Sequence, residues 1–289
     1  MITSLRRIRA IAGTTLIELA RLRVFYVLVL FALVLIVSST FLARISFQQE
    51  LQVTKDISLG AINFFLSLLA IVATAQLLPR DIEDRVVYSV LAKPVPRFEY
   101  ILGKFLGVVG LLAISLAAMS VLCLVVLHLR EQSALHEVNR QIEQLAPDQL
   151  SSTVRVIHTA GVNRDLIAAL VLVLAKSAIL AATTLCISAF ATSNIFTITA
   201  MAMVYLIGHL ESIAREYWLQ EHVAGWPKRT FLALVAFIFP DLQAFNLSDQ
   251  VIGGVPIPAH LIEQLLGLAA FYIVSYILLA TAIFYQREL

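Results

Sequence analysis

The chain has 289 residues, 60% of them hydrophobic and 14% charged, with 11 Gly, 8 Pro, 2 Cys and a formal net charge of +2. Soluble domains run at roughly 45–50% apolar and about 25% charged, so runs this apolar cannot all fold inside one aqueous core. Low-complexity, collagen-like and disulfide-scaffold chains are excluded too, the near-neutral charge implies no nucleic-acid partner, and the fold class expected is an all-α integral membrane protein.

A helix needs about 20 mainly apolar residues to cross the hydrocarbon. Arg6, Arg7, Arg9, Arg21 and Arg23 precede a first charge-free span, Val24–Leu42. No A-x-A-like site follows it, which predicts a retained signal-anchor rather than a cleaved leader. The second span, Ile57–Leu78, is expected to close at Pro79-Arg80, where charge and proline coincide. A short segment, 79–104, leads to the third span, Phe105–Leu129. Beyond it, Arg130–Asp165 opens with Leu135, Val138, Ile142 and Leu145, the narrow apolar seam of one helix stopped by Pro147. That helix either packs on the protein's own surface or docks to a partner.

The fourth span, Leu166–Ala191, is interrupted only by Lys176, and the fifth, Ile195–Leu210, is short. A polar amphipathic stretch, Glu211–Val223, follows. Phe231–Phe239 reaches only about 14 Å as a helix. With the turn-rich Pro240–Pro258 it reads as a short re-entrant or interfacial hairpin. The sixth span, Leu265–Tyr285, closes at Gln286-Arg287. The whole chain is thus expected to form one transmembrane domain of six spans. Cations concentrate before span one and, as Arg80, Arg85, Lys93, Arg97 and Lys104, between spans two and three. The positive-inside rule puts that segment and both termini in the cytoplasm, and segments 130–165 and 211–260 on the other face.

Cys123 then falls near the outer end of span three and Cys186 near the inner end of span four, too far apart for a disulfide. The sequence has no G-x-x-x-x-G-K-[ST] loop, H-E-x-x-H, C-x-x-C or G-x-S-x-G, so neither ATP binding by a phosphate loop nor a self-contained enzyme is expected. No inverted repeat of the secondary-transporter kind is visible.

Arg80–Gly103 is the most informative stretch. Ile82, Val86, Val87, Val90 and Leu91 recur at helical spacing opposite Asp81, Glu83, Asp84 and Arg85. This predicts either a short amphipathic helix lying on the membrane or a partner, or an ordinary charged loop. Lys93-Pro94-Val95-Pro96-Arg97 ends it.

Lys176, near the middle of span four, costs about 2.5–3.5 kcal/mol unless it pairs, snorkels or meets water. It reads either as a cation lining a translocation cavity for an anionic or zwitterionic substrate, or as a lysine bonded to Ser, Thr or Asn63 of neighbouring helices. Gly103, Gly107 and Gly110, with Ser177/Ala181 and Ala178/Ala182, allow close helix packing, within the chain or between two chains. His128, His136, His158, His209, His222 and His260 all fall on or near the outer face. The H-x-x-E pairs His128/Glu131 and His260/Glu263 have a metal-compatible spacing, but they read as polar caps of span ends, and no metal is expected. Tyr217, Trp218 and Trp226 suit an interfacial aromatic belt.

Asp84–Gly107, DRVVYSVLAKPVPRFEYILGKFLG, resembles the segment between spans two and three of ABC transporter permeases of the type-two exporter family, through Leu91, Pro94, Val95, Arg97, Tyr100, Gly103 and Lys104. Glu18–Phe31, ELARLRVFYVLVLF, is similar to that family's approach to span one, and Phe239–Asn246, FPDLQAFN, to its stretch before the last span. One departure is Arg85-Val86, where many members carry Gly-Thr. The resemblance implies a permease subunit of the bacterial cell inner membrane, exporting an unidentified substrate. Its partners would be a second permease chain, as homo- or heterodimer, and cytosolic ABC ATPase chains that bind the ATP and Mg. No cofactor would sit on this chain. Asp81–Leu91, including Glu83, Asp84, Arg85 and Val87, would be the coupling helix docking into the ATPase, with Pro94, Arg97 and Lys104 fixing its return. Ser4–Arg21 would be an amphipathic helix along the inner surface. Two alternatives stay open: mechanotransmission to an extracytoplasmic protein without substrate translocation, or an ATP-independent carrier or scaffold.

Overall fold

Away from water, a stretch that is apolar at nearly every position can satisfy its own N–H and C=O groups only by coiling into a helix. The computed structural model describes residues 2–43, 50–83, 96–140, 164–191, 193–220, 239–253 and 256–286. Among them every regular element is a helix. In chain order these are α1 (Ile2–Ala20), α2 (Arg23–Ala43), α3 (Glu50–Ala75), α4 (Leu77–Glu83), α5 (Arg97–Arg140), α6 (Arg164–Phe190), α7 (Asn194–Gln220), α8 (Ser248–Ile252) and α9 (Ala259–Gln286).

Five stretches are long and apolar enough to cross a membrane: Arg23–Phe41, Leu51–Glu83, Arg97–Ser133, Asp165–Phe190 and Ala259–Gln286. The apolar part of α7, Asn194–Leu210, is shorter than these. It reaches about 25 Å at 1.5 Å per residue, against roughly 30 Å of hydrocarbon. The expected fifth span is therefore a helix, but not one long enough to join the other five.

Three boundaries differ from the sequence expectation. The second span does not stop at Pro79. Its helix breaks earlier, at Gln76, and α4 then carries Pro79 inside its first turn. Proline's ring clashes with the carbonyl four residues before it, here Ala75, and its missing N–H is harmless in a first turn, where those donors are unpaired anyway. The helix of the third span does not end at Leu129. The 44 residues of α5 run without interruption to Arg140, because no Gly or Pro lies between His128 and Arg140. Leu135 and Val138 thus belong to the same helix as the span, while Ile142, Leu145 and Pro147 lie outside the described residues. Finally, α7 continues through Glu211 to Gln220 as one helix with its apolar part.

α3, α5 and α6 form the centre of the bundle, with α2 on α3, α9 on α6 and α1 on α5. α6 is the most enclosed of the candidate spans, while α2 and α9 leave most of their side chains outside. The outward residues of α2 include Tyr26, Val27, Leu30, Phe31 and Val34, a composition suited to lipid rather than water.

One end of the bundle carries α1, α4, the start of α5 and the finish of α9. The other, far end carries the starts of α3, α6 and α9. There the Arg130 guanidinium of α5 donates to the Thr40 carbonyl of α2. Near this end the chain from Phe239 folds back into the bundle. The Leu242 N–H donates to the Gly208 carbonyl of α7 at 3.0 Å, and Asp241 Oδ1 accepts from the N–H groups of Gln243 (3.0 Å) and Ala244 (3.1 Å). Leu242, Phe245, Leu247 and Val251 are buried, and α8 rests on α3 and α6. The hairpin expected from Phe231 onward lies outside the described residues up to position 238.

The small residues at the start of α5 pack within the chain. α1 crosses them so closely that a Cβ on Gly107 would stand 2.6 Å from Thr15 Cβ and 2.8 Å from the Ala12 carbonyl oxygen. A Cβ on Gly103 would stand 2.8 Å from Ile11. Gly60 of α3, by contrast, has open space where its Cβ would be. Gly107→Ala should therefore destabilise the purified chain by about 1–3 kcal/mol through overpacking. Gly60→Ala should leave thermal unfolding in detergent unchanged or raised, since alanine is the better helix former.

Candidate functional site

Two polar groupings stand inside this apolar bundle. The first joins the elements at the α1 end. Asp81 of α4 is buried, 3% exposed. Its Oδ2 lies 2.7 Å from the Lys104 ammonium of α5 and also accepts from the Tyr100 hydroxyl. Lys104, itself buried, stands 3.5 Å from Glu18 of α1, and Arg80 of α4 stands 3.9 Å from the same carboxylate. One turn away, Glu99 accepts from the Ser4 hydroxyl at 2.6 Å and faces Arg7 at 3.6 Å.

Arg97, the first residue of α5, closes the grouping against α9. One guanidinium nitrogen donates to the carbonyls of Phe284 (2.8 Å) and Tyr285 (2.7 Å). These belong to the last turn of α9, so the arginine caps that helix and meets its negative end. Its charge also lies over the Tyr285 ring at 5.1 Å.

The structure thus pairs Asp81 and Lys104 of the predicted coupling set directly, whereas Arg97 binds α9 instead. Asp81 faces inward and anchors its segment, whereas Glu83 is exposed. Asp84, Arg85, Val87, Leu91 and Pro94 lie outside the described residues. The resemblance singled out Tyr100, Lys104 and Gly103 without the roles they hold here: partner of Asp81, partner of Asp81 and Glu18, and seat for α1. Glu18, Arg7 and Ser4 were not anticipated as members, because contacts between α1 and α5 leave no periodic trace in either segment.

The second grouping lies at mid-bundle. Lys176 of α6 is wholly enclosed, 0% exposed. Its Nζ is 3.3 Å from Asn63 Oδ1 of α3 and 3.2 Å from His209 Nε2 of α7, and it stands over the Tyr205 ring at 5.6 Å. The pairing with Asn63 is one of those the sequence offered, beside Ser or Thr of neighbouring helices. His209 was expected on or near the outer face, and its ring turns inward to Lys176. The signal for that was the spacing of Tyr205 and His209, four apart and so on one face of α7. His209 Nδ1 is 3.0 Å from the Tyr205 carbonyl. A carbonyl can only accept, so Nδ1 carries the proton and Nε2 is free to accept from the lysine. The ammonium therefore has two neutral acceptors and a π face, and no carboxylate pairs with it among the described residues.

Cys123 and Cys186 are both free and buried. Among the described residues no three His, Cys, Asp or Glu side chains come together as metal ligands. Compared with known proteins, the chain matches no protein-family model, and no curated protein aligns with it significantly.

Breaking the first network should be costly in a directional way. Asp81→Asn leaves the buried Lys104 without its close counter-charge and should destabilise the chain by about 3 kcal/mol. The double variant Asp81→Leu/Lys104→Met should recover most of that loss, because no uncompensated charge remains. A double-mutant cycle by thermal unfolding in detergent measures the coupling.

Proposed function

We propose that the chain is the membrane-spanning permease subunit of an ABC transporter, working as a pair of permease chains with two cytosolic ATPase chains. The observation that supports this reading is the role of four residues in the family-like segment. Arg97 caps α9, Tyr100 and Lys104 hold Asp81, and Gly103 seats α1. Residues of one short motif thereby tie the segment between spans two and three to three other helices. A push on that segment is passed to α1, α5 and α9 together, as a coupling element requires.

On this reading the chain sits in the bacterial cell inner membrane with six spans, α7 being the shortest, and with both termini and the α1 end in the cytoplasm. ATP binding closes the ATPase dimer, and the attached segment shifts the population of span arrangements with it. ATP and Mg stay on the ATPase. Lys176, with Asn63 and His209, is the cationic point of the translocation path, which favours an anionic or zwitterionic substrate, and export is the expected direction.

A second reading draws on α5. At 44 residues it is about 66 Å long at 1.5 Å per residue, roughly twice the hydrocarbon thickness. Its polar last turns would serve a mechanotransmission subunit that passes motion to an extracytoplasmic protein.

Purification from native membranes in mild detergent, with mass spectrometry of co-purifying chains, tests both. The wild type should bring down an ABC ATPase, and Glu83→Arg/Val87→Asp should lose it. A stoichiometric extracytoplasmic partner in the wild-type sample would favour mechanotransmission over transport. If neither sample holds an ATPase under conditions that preserve a known complex, the permease reading fails.

A further inference from the structure

Neither grouping uses Lys55. It stands on α3 five residues after Glu50, toward the far end of the bundle, and is 0% exposed. Among the described residues its Nζ has no hydrogen-bond partner, and the Ser58 hydroxyl, also 0% exposed, has only the Cys123 thiol of α5 within reach. Three residues apart on a helix, the two side chains share one face.

The surroundings do not supply the missing acceptor. Asp56, next in the chain, is exposed on another face. Across from Lys55 and Ser58 is Cys123 of α5, a thiol too weak as an acceptor to stand in for a carboxylate. Glu131 of α5 and Asp165 of α6 are the acids whose charge reaches Lys55, without a hydrogen bond to its Nζ. The contrast with Lys176 is direct. That lysine is equally enclosed, yet it has two acceptors and an aromatic face.

Buried polar groups in folded proteins are nearly always bonded, and an enclosed ammonium without acceptors is the most costly exception. Here such an ammonium adjoins a hydroxyl whose other contact is only a thiol, and both can donate. What completes them is a group that brings several acceptor lone pairs and a negative charge. We propose that Lys55 and Ser58 form a binding site for an oxyanion, a phosphate or carboxylate group, held between α3 and α5 near the far end of the bundle. Lys55 supplies the charge and two or three N–H donors, and Ser58 adds one O–H donor. The anion is the headgroup of an acidic lipid or a soluble ion, which share this chemistry. The proposal does not depend on the permease reading.

The test uses the full chain in detergent and follows thermal unfolding through Trp218 and Trp226. Three probes are added separately: phosphatidylglycerol in mixed micelles, inorganic phosphate and acetate, with phosphatidylcholine as the neutral reference. At saturation one of the anionic probes should raise the wild-type midpoint by about 5 °C or more over the reference. Lys55→Met should unfold no earlier than wild type without ligand, since it removes an unpaired charge, and should lose the rise. Ser58→Ala should reduce it, and Lys176→Met should keep it. A rise with phosphatidylglycerol alone assigns the site to lipid, and a rise with phosphate or acetate assigns it to a soluble anion. If no anionic probe shifts the wild type, or if Lys55→Met responds as the wild type does, the site is not there.

Discussion

The contact between Lys104 and Asp81 is the interaction on which the α1 end of the bundle depends. Each charge has been taken out of water by apolar helices, so neither is tolerable without the other. Glu18 and Tyr100 complete the pair by taking the lysine's further donors and the aspartate's remaining acceptor capacity. Because the four residues come from α1, α4 and α5, the register of three helices is set at one point. The glycine face of α5 then lets α1 lie close enough for Glu18 to reach Lys104. A bulkier residue at Gly107 would hold Thr15 and the α1 backbone away, and would lengthen the salt bridge one turn above. Packing and charge pairing are therefore one device here.

Much of the fold was legible in the sequence because hydrocarbon imposes a simple rule. Long apolar runs become helices, and α2, α3, α5, α6 and α9 each overlap the run that predicted them. The errors came where local chemistry, rather than apolarity, sets the boundary. Pro79 marked a boundary correctly, but the helix pays for proline one turn earlier, at Gln76. Leu129 closes the apolar run of the third span, whereas the helix itself continues through residues 130–140 without a break. Asn63 could be named in advance as one candidate for Lys176, with Ser and Thr, because a buried lysine demands an acceptor. Lys55 was missed for a related reason. A span read as starting at Ile57 leaves Lys55 in a solvated loop, and only the packing of α3 against α5 shows that it is enclosed.

The contacts of α1 with α5 and of Arg97 with α9 were not legible at all. Both join segments far apart in the chain, and neither segment carries the partner's pattern. Glu99 illustrates the point. In sequence it is one more acid in a charged segment, yet it accepts from Ser4 and faces Arg7 across the helix crossing. A charge run near a span end thus mixes residues that meet solvent, such as Glu83, with residues that bolt the fold together, such as Asp81. Only the three-dimensional arrangement separates them.

Three buried lysines lie in order along the bundle, and they are satisfied to decreasing degree. Lys104, at the α1 end, has two carboxylates. Lys176, at mid-depth, has two neutral acceptors and a ring. Lys55, toward the far end, has no hydrogen-bond partner among the described residues. The same residue type, buried each time, costs least where it is fully paired. If Lys55 and Ser58 take up an oxyanion as proposed, the lysine that binds it is the one with most to gain, whereas Lys104 is already neutralised by the chain's own acids.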